Sequence, residues 1–236
     1  MPGAVPRTST YALSNATLEL LAEEGFRWSA SGESVLRNSM AADPGQQAGQ
    51  TCRHRVYRFG DNPVDCFFRD DGLSDLIGFT YSEWHAEDAV ANLVHHMENI
   101  KAACANTRDC AIVIILDGEN AWEYYPENAY YFLGALYREL SRHTGLELGT
   151  FSSFLDARRP QRAHLGSLTA GSWVYGTLST WIGSPDKNRG WEMLADAKRA
   201  YDRAVAGGRL APDIAGRALM QLAACEGSDW FWWFGD

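Results

Sequence analysis

The sequence lacks the features that mark membrane proteins and nucleic-acid-binding proteins. No stretch approaches the roughly 18 consecutive apolar residues that a membrane-spanning helix needs. Basic residues are in the minority, with 21 Lys and Arg against 30 Asp and Glu, and the resulting net charge of −9 argues against a surface that tracks phosphates. Neither a membrane nor nucleic acid is therefore expected as a partner.

Cysteine is scarce and does not form a pattern. The five residues show neither a CxxC pair nor an alternation with His at metal-ligand spacing; they are Cys52, Cys66, Cys104, Cys110 and Cys225. Free thiols in a reducing compartment are expected, and Met1 to Leu13 contains no apolar run long enough for a signal peptide. The sequence thus predicts a cytoplasmic protein with no metal and no cofactor.

What the chain does contain is apolar and aromatic material for a sizeable core, with 46% hydrophobic and 12% aromatic residues in a length of 236. Periodicity of three to four predicts helices at 15–24, 86–104, 130–143, 191–206 and 211–224. Short apolar runs predict strands at 26–30, 55–59, 64–68, 111–116 and 147–151, and 39–51 is predicted to be a surface loop. Strands that alternate with long helices indicate an α/β fold with a mainly parallel sheet and a helical last third.

The clearest chemical signal follows the apolar run Ala111–Leu116, which is typical of a strand buried on both faces. Asp117 and Glu119 come directly after it, where α/β proteins place their catalytic groups. Magnesium ligation, helix capping and general acid catalysis all fit this pair. The rings and amide of Trp122, Tyr124, Tyr125 and Asn128 then favour a sugar over a phosphate, and no Gly-rich phosphate loop accompanies the run.

Four segments of the sequence resemble glycoside hydrolase family 57, whose members are retaining α-glucan enzymes. Leu116–Glu123 (LDGENAWE) resembles its fourth signature region, and Phe67–Phe79 resembles the segment before that region in amylopullulanase-like members. Gly171–Trp173 together with Thr180–Gly183 resembles the fifth region, and Glu226–Trp233 resembles a Trp-rich helical segment. The resemblance is to the distal half of an α-amylase/amylopullulanase-like catalytic domain.

The resemblance implies roles for several residues. Asp117 takes the position of the general acid/base, in a buried setting at the end of a strand. Residues implied to bind an α-glucan such as starch, glycogen or pullulan are Glu119, Trp122, Arg69, Asp70, Trp173 and Trp181. Arg69 and Asp70 fit a salt bridge between neighbouring loops equally well. A hydrolase, a branching enzyme and a glucanotransferase are not distinguished.

The resemblance also implies that part of the machinery is missing. A retaining glycosidase needs a second carboxylate as nucleophile, yet Thr10 occupies that position, with Tyr11 where the family has Gly. The first two signature regions have no counterpart. The expected architecture is an incomplete (β/α)7-type barrel followed by the start of a helical subdomain, with 1–10 unmatched, 11–160 as distal barrel and 161–236 as a helical region that closes the site and is cut at its C-terminus.

Two interpretations of the function follow from this pattern. In the first, the chain is a fragment of an α-glucan hydrolase or transglycosylase and is inactive alone. In the second, it is a non-catalytic carbohydrate-binding remnant, or a piece that completes a barrel with a partner chain carrying the other half.

Overall fold

The computed structural model describes residues 12–43, 53–107, 109–118 and 121–234. Its strands are β1 Trp28–Gly32, β2 Tyr57–Phe59, β3 Asp65–Arg69 and β4 Ala163–Leu165. The α-helices of this part of the chain are α1 Asn15–Glu23, α2 Glu33–Ala42, α3 Asp71–Asp75, α4 Ala86–Ala103, α5 Tyr130–Arg142, α6 Phe151–Arg158, α7 Pro185–Ala206, α8 Pro212–Cys225 and α9 Asp229–Trp233. A π-helical turn at Leu76–Thr80 follows α3 directly.

Local signals fix the ends of the first helix. The Ser14 hydroxyl accepts a hydrogen bond from the backbone N–H of Thr17, as an N-cap does, and Gly25 follows the helix with a φ of +77°. The helix predicted at 15–24 is confirmed. The helices predicted around α4, α5, α7 and α8 are confirmed as well, and α7 starts six residues earlier than predicted because Ser184 caps it and Pro185 opens it.

The four strands form one mixed sheet in the order β1, β3, β2, β4. β1 pairs parallel with β3 in a register that places Gly32 beside Arg69, and β2 pairs antiparallel with β3 and parallel with β4. Alternate residues of β3 enter different cores. Cys66 and Phe68 pack with α1 and α2 on one face, whereas Phe67 packs with α6 on the other. The α/β prediction is confirmed, and two of the three strand pairings are parallel, as a mainly parallel sheet requires, while the pairing of β2 with β3 is antiparallel.

The apolar run Ala111–Leu116 is not assigned to a strand, contrary to the prediction. It is an extended segment inserted where β2 and β3 diverge: the N–H of Ala111 donates to the carbonyl of His54, and the N–H of Asp70 donates to the carbonyl of Val113. Its residues still alternate between two cores, since Ile112, Ile114 and Leu116 pack with α4 and α5 while the other three pack with β3 and α6. Both sides of the run therefore contact apolar residues, but only Val113 is fully buried and the run has no regular ladder.

Two further sequence predictions are wrong. Residues 147–150 are not a strand, because Thr150 and Ser153 form a reciprocal capping box that starts α6 at Phe151. The predicted loop at 39–51 overlaps the end of α2, whose Ser39 is fully buried, and residues 44–51 lie outside the described part of the chain. The short strand β4 and the helix α2 were not predicted from periodicity.

Candidate active site

The candidate site lies at the carboxyl ends of the two parallel strands, β1 and β3. Gly32 ends β1 beside Arg69, which ends β3. The backbone of Trp173 contacts the Cα of Gly32 so closely that a Cβ there would lie 2.6 Å from the Trp173 Cα. The loop that carries Trp173 is thereby held against this edge of the sheet, as expected for a site at the ends of parallel strands.

Arg69 is the centre of this edge. Its Nε–H donates to the carbonyl oxygen of Ile115 over 3.0 Å, and its two terminal nitrogens donate to Asp71 and Asp75 over 2.8 and 2.6 Å. The guanidinium carbon also lies 5.8 Å from the centroid of the Trp173 ring, within the range of a cation–π contact. Arg69 therefore joins β3, both ends of α3, the extended segment and the Trp173 loop.

Asp70 caps α3 and meets His54. Its Oδ1 accepts a hydrogen bond from the N–H of Leu73 over 2.9 Å. Its Oδ2 is buried and has no hydrogen-bond partner among the described residues; the Nε2 of His54 lies 3.7 Å away and the Nε of Arg53 lies 3.9 Å away. Burial holds the pKa of His54 below its ordinary value, and the nearby Asp70 carboxylate only partly offsets that effect. Asp70 thus accepts a hydrogen bond on one oxygen and makes only longer ion contacts on the other.

Asp117 emerges at the end of the extended segment and is exposed, rather than buried as the sequence predicted. Its position is set two residues earlier, where Arg69 binds the Ile115 carbonyl and the Ser74 hydroxyl accepts the Ile115 N–H over 3.3 Å. Glu119, the other predicted acidic residue, lies outside the described residues. The structure therefore places the Asp117 carboxylate, exposed, beyond the carboxyl edge of the sheet.

The three predicted aromatic residues have different surroundings. Trp122 is half-buried and packs at 5.6 Å from Tyr125 at the edge of the core formed with α4 and α5. Trp173 is half-buried and lies parallel to Trp232 with ring centroids 6.3 Å apart. Trp181 is 7% exposed and donates its indole N–H to the Ser172 hydroxyl. A sugar could not stack on Trp181 without displacing its neighbours, so the structure assigns this ring to packing.

Comparison with known proteins identifies the family. The family model for glycosyl hydrolase family 57 matches residues 6–165, about two thirds of the chain. The chain belongs to glycosyl hydrolase family 57. A search of curated protein sequences finds no match to it.

Solved structures of two GH57 branching enzymes and of a 4-α-glucanotransferase share the fold of this chain. The branching enzyme from Pyrococcus horikoshii has a TM-score of 0.69 at 17% identity, over 91% of this chain and 46% of that enzyme. The branching enzyme from Thermococcus kodakaraensis, solved with glucose, has a TM-score of 0.69 at 18% identity, over 91% and 48%. The 4-α-glucanotransferase from Thermococcus litoralis has a TM-score of 0.53 at 16% identity, over 82% and 28%. This family 57 chain spans about half the length of the two branching enzymes.

Several residues of the candidate site were not predicted from the sequence. Asp71 and Asp75 neutralise Arg69, Ser74 holds Ile115, and His54 lies beside Asp70. The two aspartates follow Arg69 closely in the sequence, so their pairing had a local signal. His54 and Ser74 had none, because only the folded chain brings them to the extended segment.

Neither a metal cluster nor a membrane-crossing helix occurs in the described ranges. No group of three or more His, Cys, Asp or Glu residues there could hold a metal ion. No helix of that part of the family 57 chain is both long and apolar enough to cross a bilayer.

Proposed function

We propose that this chain carries the general acid/base of a retaining α-glucan hydrolase or transglycosylase, and that Asp117 is that residue. The observation that supports the proposal most is the placement of Asp117. It is an exposed carboxylate at the end of a segment anchored by Arg69, at the carboxyl edge of a sheet with the fold of family 57. A general acid/base must reach the glycosidic oxygen, so exposure is compatible with the role.

The proposed reaction uses two carboxylates. The acid/base protonates the leaving oxygen while a nucleophile attacks the anomeric carbon, and it then activates water or an acceptor sugar in the second half of the reaction. By the resemblance of the sequence, Thr10 occupies the nucleophile position, and Thr lacks the carboxylate that attacks the anomeric carbon in a retaining glycosidase. We therefore propose that the chain alone binds α-glucan and does not cleave it.

Sugar contacts are proposed for those predicted aromatic residues that retain accessible surface. Trp122 and Trp173 are half-buried, and each ring lies at the edge of a core rather than inside it. Aromatic rings in this position suit the apolar faces of glucose units. Glu119 remains a proposed ligand of sugar hydroxyls.

A second function is favoured because Thr10 takes the position that the nucleophilic carboxylate has in the family. Without a nucleophile, the chain is proposed to serve as a glucan-binding piece, or to complete a barrel with a partner chain that carries the other half. Addition of such a partner would restore cleavage, whereas a pure binding piece would stay inactive in its presence.

The experiment combines a binding and a cleavage measurement on the same chain. Calorimetric titration with maltoheptaose should show binding, cellohexaose should bind more weakly, and no reducing sugar should appear from soluble starch or pullulan. Trp173→Ala should weaken maltoheptaose binding, and Trp84→Ala, at a half-exposed ring of the 3-10 turn before α4, should not. Absence of maltoheptaose binding would overturn the α-glucan proposal. Hydrolysis that disappears in Asp117→Asn would overturn the proposed inactivity.

A further inference from the structure

The surroundings of Arg69 do not suit a residue that binds substrate. Its side chain is only 9% exposed. Three of its nitrogens donate to protein acceptors, namely the Ile115 carbonyl and the carboxylates of Asp71 and Asp75. A sugar hydroxyl would have to displace one of these charge-assisted hydrogen bonds, which are stronger than ordinary ones.

The same contacts fix the guanidinium in one orientation. Asp71 lies in the first turn of α3 and Asp75 at its end, so the two carboxylates hold the guanidinium from two points of one helix. With its terminal nitrogens held there, the remaining Nε–H is aimed at the Ile115 carbonyl. The planar, rigid geometry of a guanidinium makes this directional control possible.

We infer that Arg69 is a positioning residue for Asp117, through the carbonyl of Ile115. The inference rests on the proposed function of Asp117 and adds a residue to that site. Both backbone polar groups of Ile115 are hydrogen-bonded to side chains: its N–H donates to the Ser74 hydroxyl, and its carbonyl accepts from Arg69. Asp117, which is exposed, lies two residues beyond this anchor, so the orientation of its carboxylate depends on it.

Lysine cannot replace Arg69 in this role. Its ammonium group is a single point on a flexible stem, whereas the three acceptors lie at three separate nitrogens of the Arg69 fork. Arg69→Lys should therefore keep the charge near Asp71 and Asp75 and lose the bond to Ile115. Arg69→Ala should lose all three bonds and leave a cavity that methylguanidinium can enter.

The test is residue-resolved amide exchange by NMR on the full chain. In Arg69→Ala, the amides of Ile115 and Ala111 should exchange about tenfold faster or more. The reason is that the extended segment 111–116, which these two amides attach to the rest of the protein, loses its hydrogen bond from the Arg69 guanidinium to the Ile115 carbonyl. The amide signals of Leu116 and Asp117 should shift in the same variant. Added methylguanidinium should return both the exchange rates and the signals toward those of the wild type.

Arg162→Ala is the matched control. Arg162 binds both oxygens of Asp65 at the opposite end of β3, at 3.1 and 2.8 Å. Its loss should lower the stability of the sheet and leave the Leu116 and Asp117 signals in place. Methylguanidinium should have no effect on the wild-type signals.

Two results would overturn the inference. The first is unchanged exchange and unchanged Asp117 signals in the Arg69 variants. The second is a rise in exchange that is uniform along the chain and not reversed by methylguanidinium, since that would mean a general structural role. If Arg69→Ala does not fold, Arg69→Lys decides the question by the same signals. Failure of maltoheptaose binding would overturn the proposed function separately, because the exchange measurement uses no sugar.

Discussion

The Nε–H of Arg69 donates a hydrogen bond to the carbonyl oxygen of Ile115 across 3.0 Å. This bond joins the last residue of a buried strand to the residue two positions before the exposed Asp117. Of the two roles that the sequence left open for Arg69, sugar ligand and salt bridge, the structure shows the salt bridge, to Asp71 and Asp75. The charge of Arg69 acts within the protein, where it organises the edge from which the proposed acid/base emerges.

Replacement of Gly32 by Ala should disturb the site through Trp173. The new Cβ would lie 2.6 Å from the Trp173 Cα, so the backbone must move, and we expect a loss of about 1–3 kcal/mol in the free energy of unfolding. Urea unfolding measures this change. Gly134→Ala in α5 is the control, because nothing lies within 4 Å of its added Cβ and a helical Ala should stabilise by about 0.5–1 kcal/mol. Equal stability changes in the two variants would contradict the close contact.

Asp70 should contribute to stability mainly as the cap of α3. Asp70→Ala should lower the free energy of unfolding by about 1–2 kcal/mol, because the Leu73 N–H loses its acceptor. Asp70→Asn should cost clearly less, since Asn caps a helix as well as Asp does and the ion contacts of the second Asp70 oxygen to His54 and Arg53 are long, at 3.7 and 3.9 Å. Thermal or urea unfolding of both variants measures the difference. A larger loss in Asp70→Asn would show that the charge matters more than the cap.

His54 should make the stability depend on pH. In the unfolded chain it takes up a proton near its ordinary pKa of about 6.5. In the folded chain burial lowers that pKa, so the unfolded state binds more protons between the two values. The contribution of His54 to stability is therefore present above pH 6.5 and is lost as the pH falls toward the lower, folded pKa.

Urea unfolding at pH 7 and at pH 5.5 measures this effect. The wild type should lose more stability on acidification than His54→Asn, and His95→Gln, at an exposed histidine of α4, should behave as the wild type. An equal loss in wild type and His54→Asn would show that His54 is not buried in its neutral form.

The sequence predicted those parts of the fold that depend on local patterns. The apolar stripe of Val90, Leu93, Val94 and Met97 faces a core, so α4 was found within one residue. Thr150 and Ser153 were overlooked, although their capping box is a local signal for the start of α6. Local sequence patterns determine both the extent of α4 and the start of α6, but only the pattern of α4 was recognised in the sequence.

The candidate site depends on contacts that a local pattern does not encode. The pairing of Arg69 with Asp75 spans six residues, whereas its bond to Ile115 spans 46. The sequence predicted that the run Ala111–Leu116 is apolar on both sides, and the structure packs alternate residues into two cores. The sequence did not predict how few backbone hydrogen bonds the run makes, because the partners of those bonds, His54 and Asp70, are distant in the sequence. Sequence reasoning therefore found the position of Asp117 in the chain and missed the way in which it is held.

The measurement that tests the central claim most directly is turnover after a carboxylate is placed at the proposed nucleophile position. Thr10 would be changed to Glu in a chain to which the remaining part of a family 57 catalytic domain is joined, and α-glucan turnover would be compared with and without Asp117→Asn. The account predicts that Asp117→Asn lowers kcat by orders of magnitude and leaves glucan binding nearly unchanged, because the acid/base acts on the transition state. Unchanged turnover in Asp117→Asn would contradict the assignment of Asp117 as the acid/base.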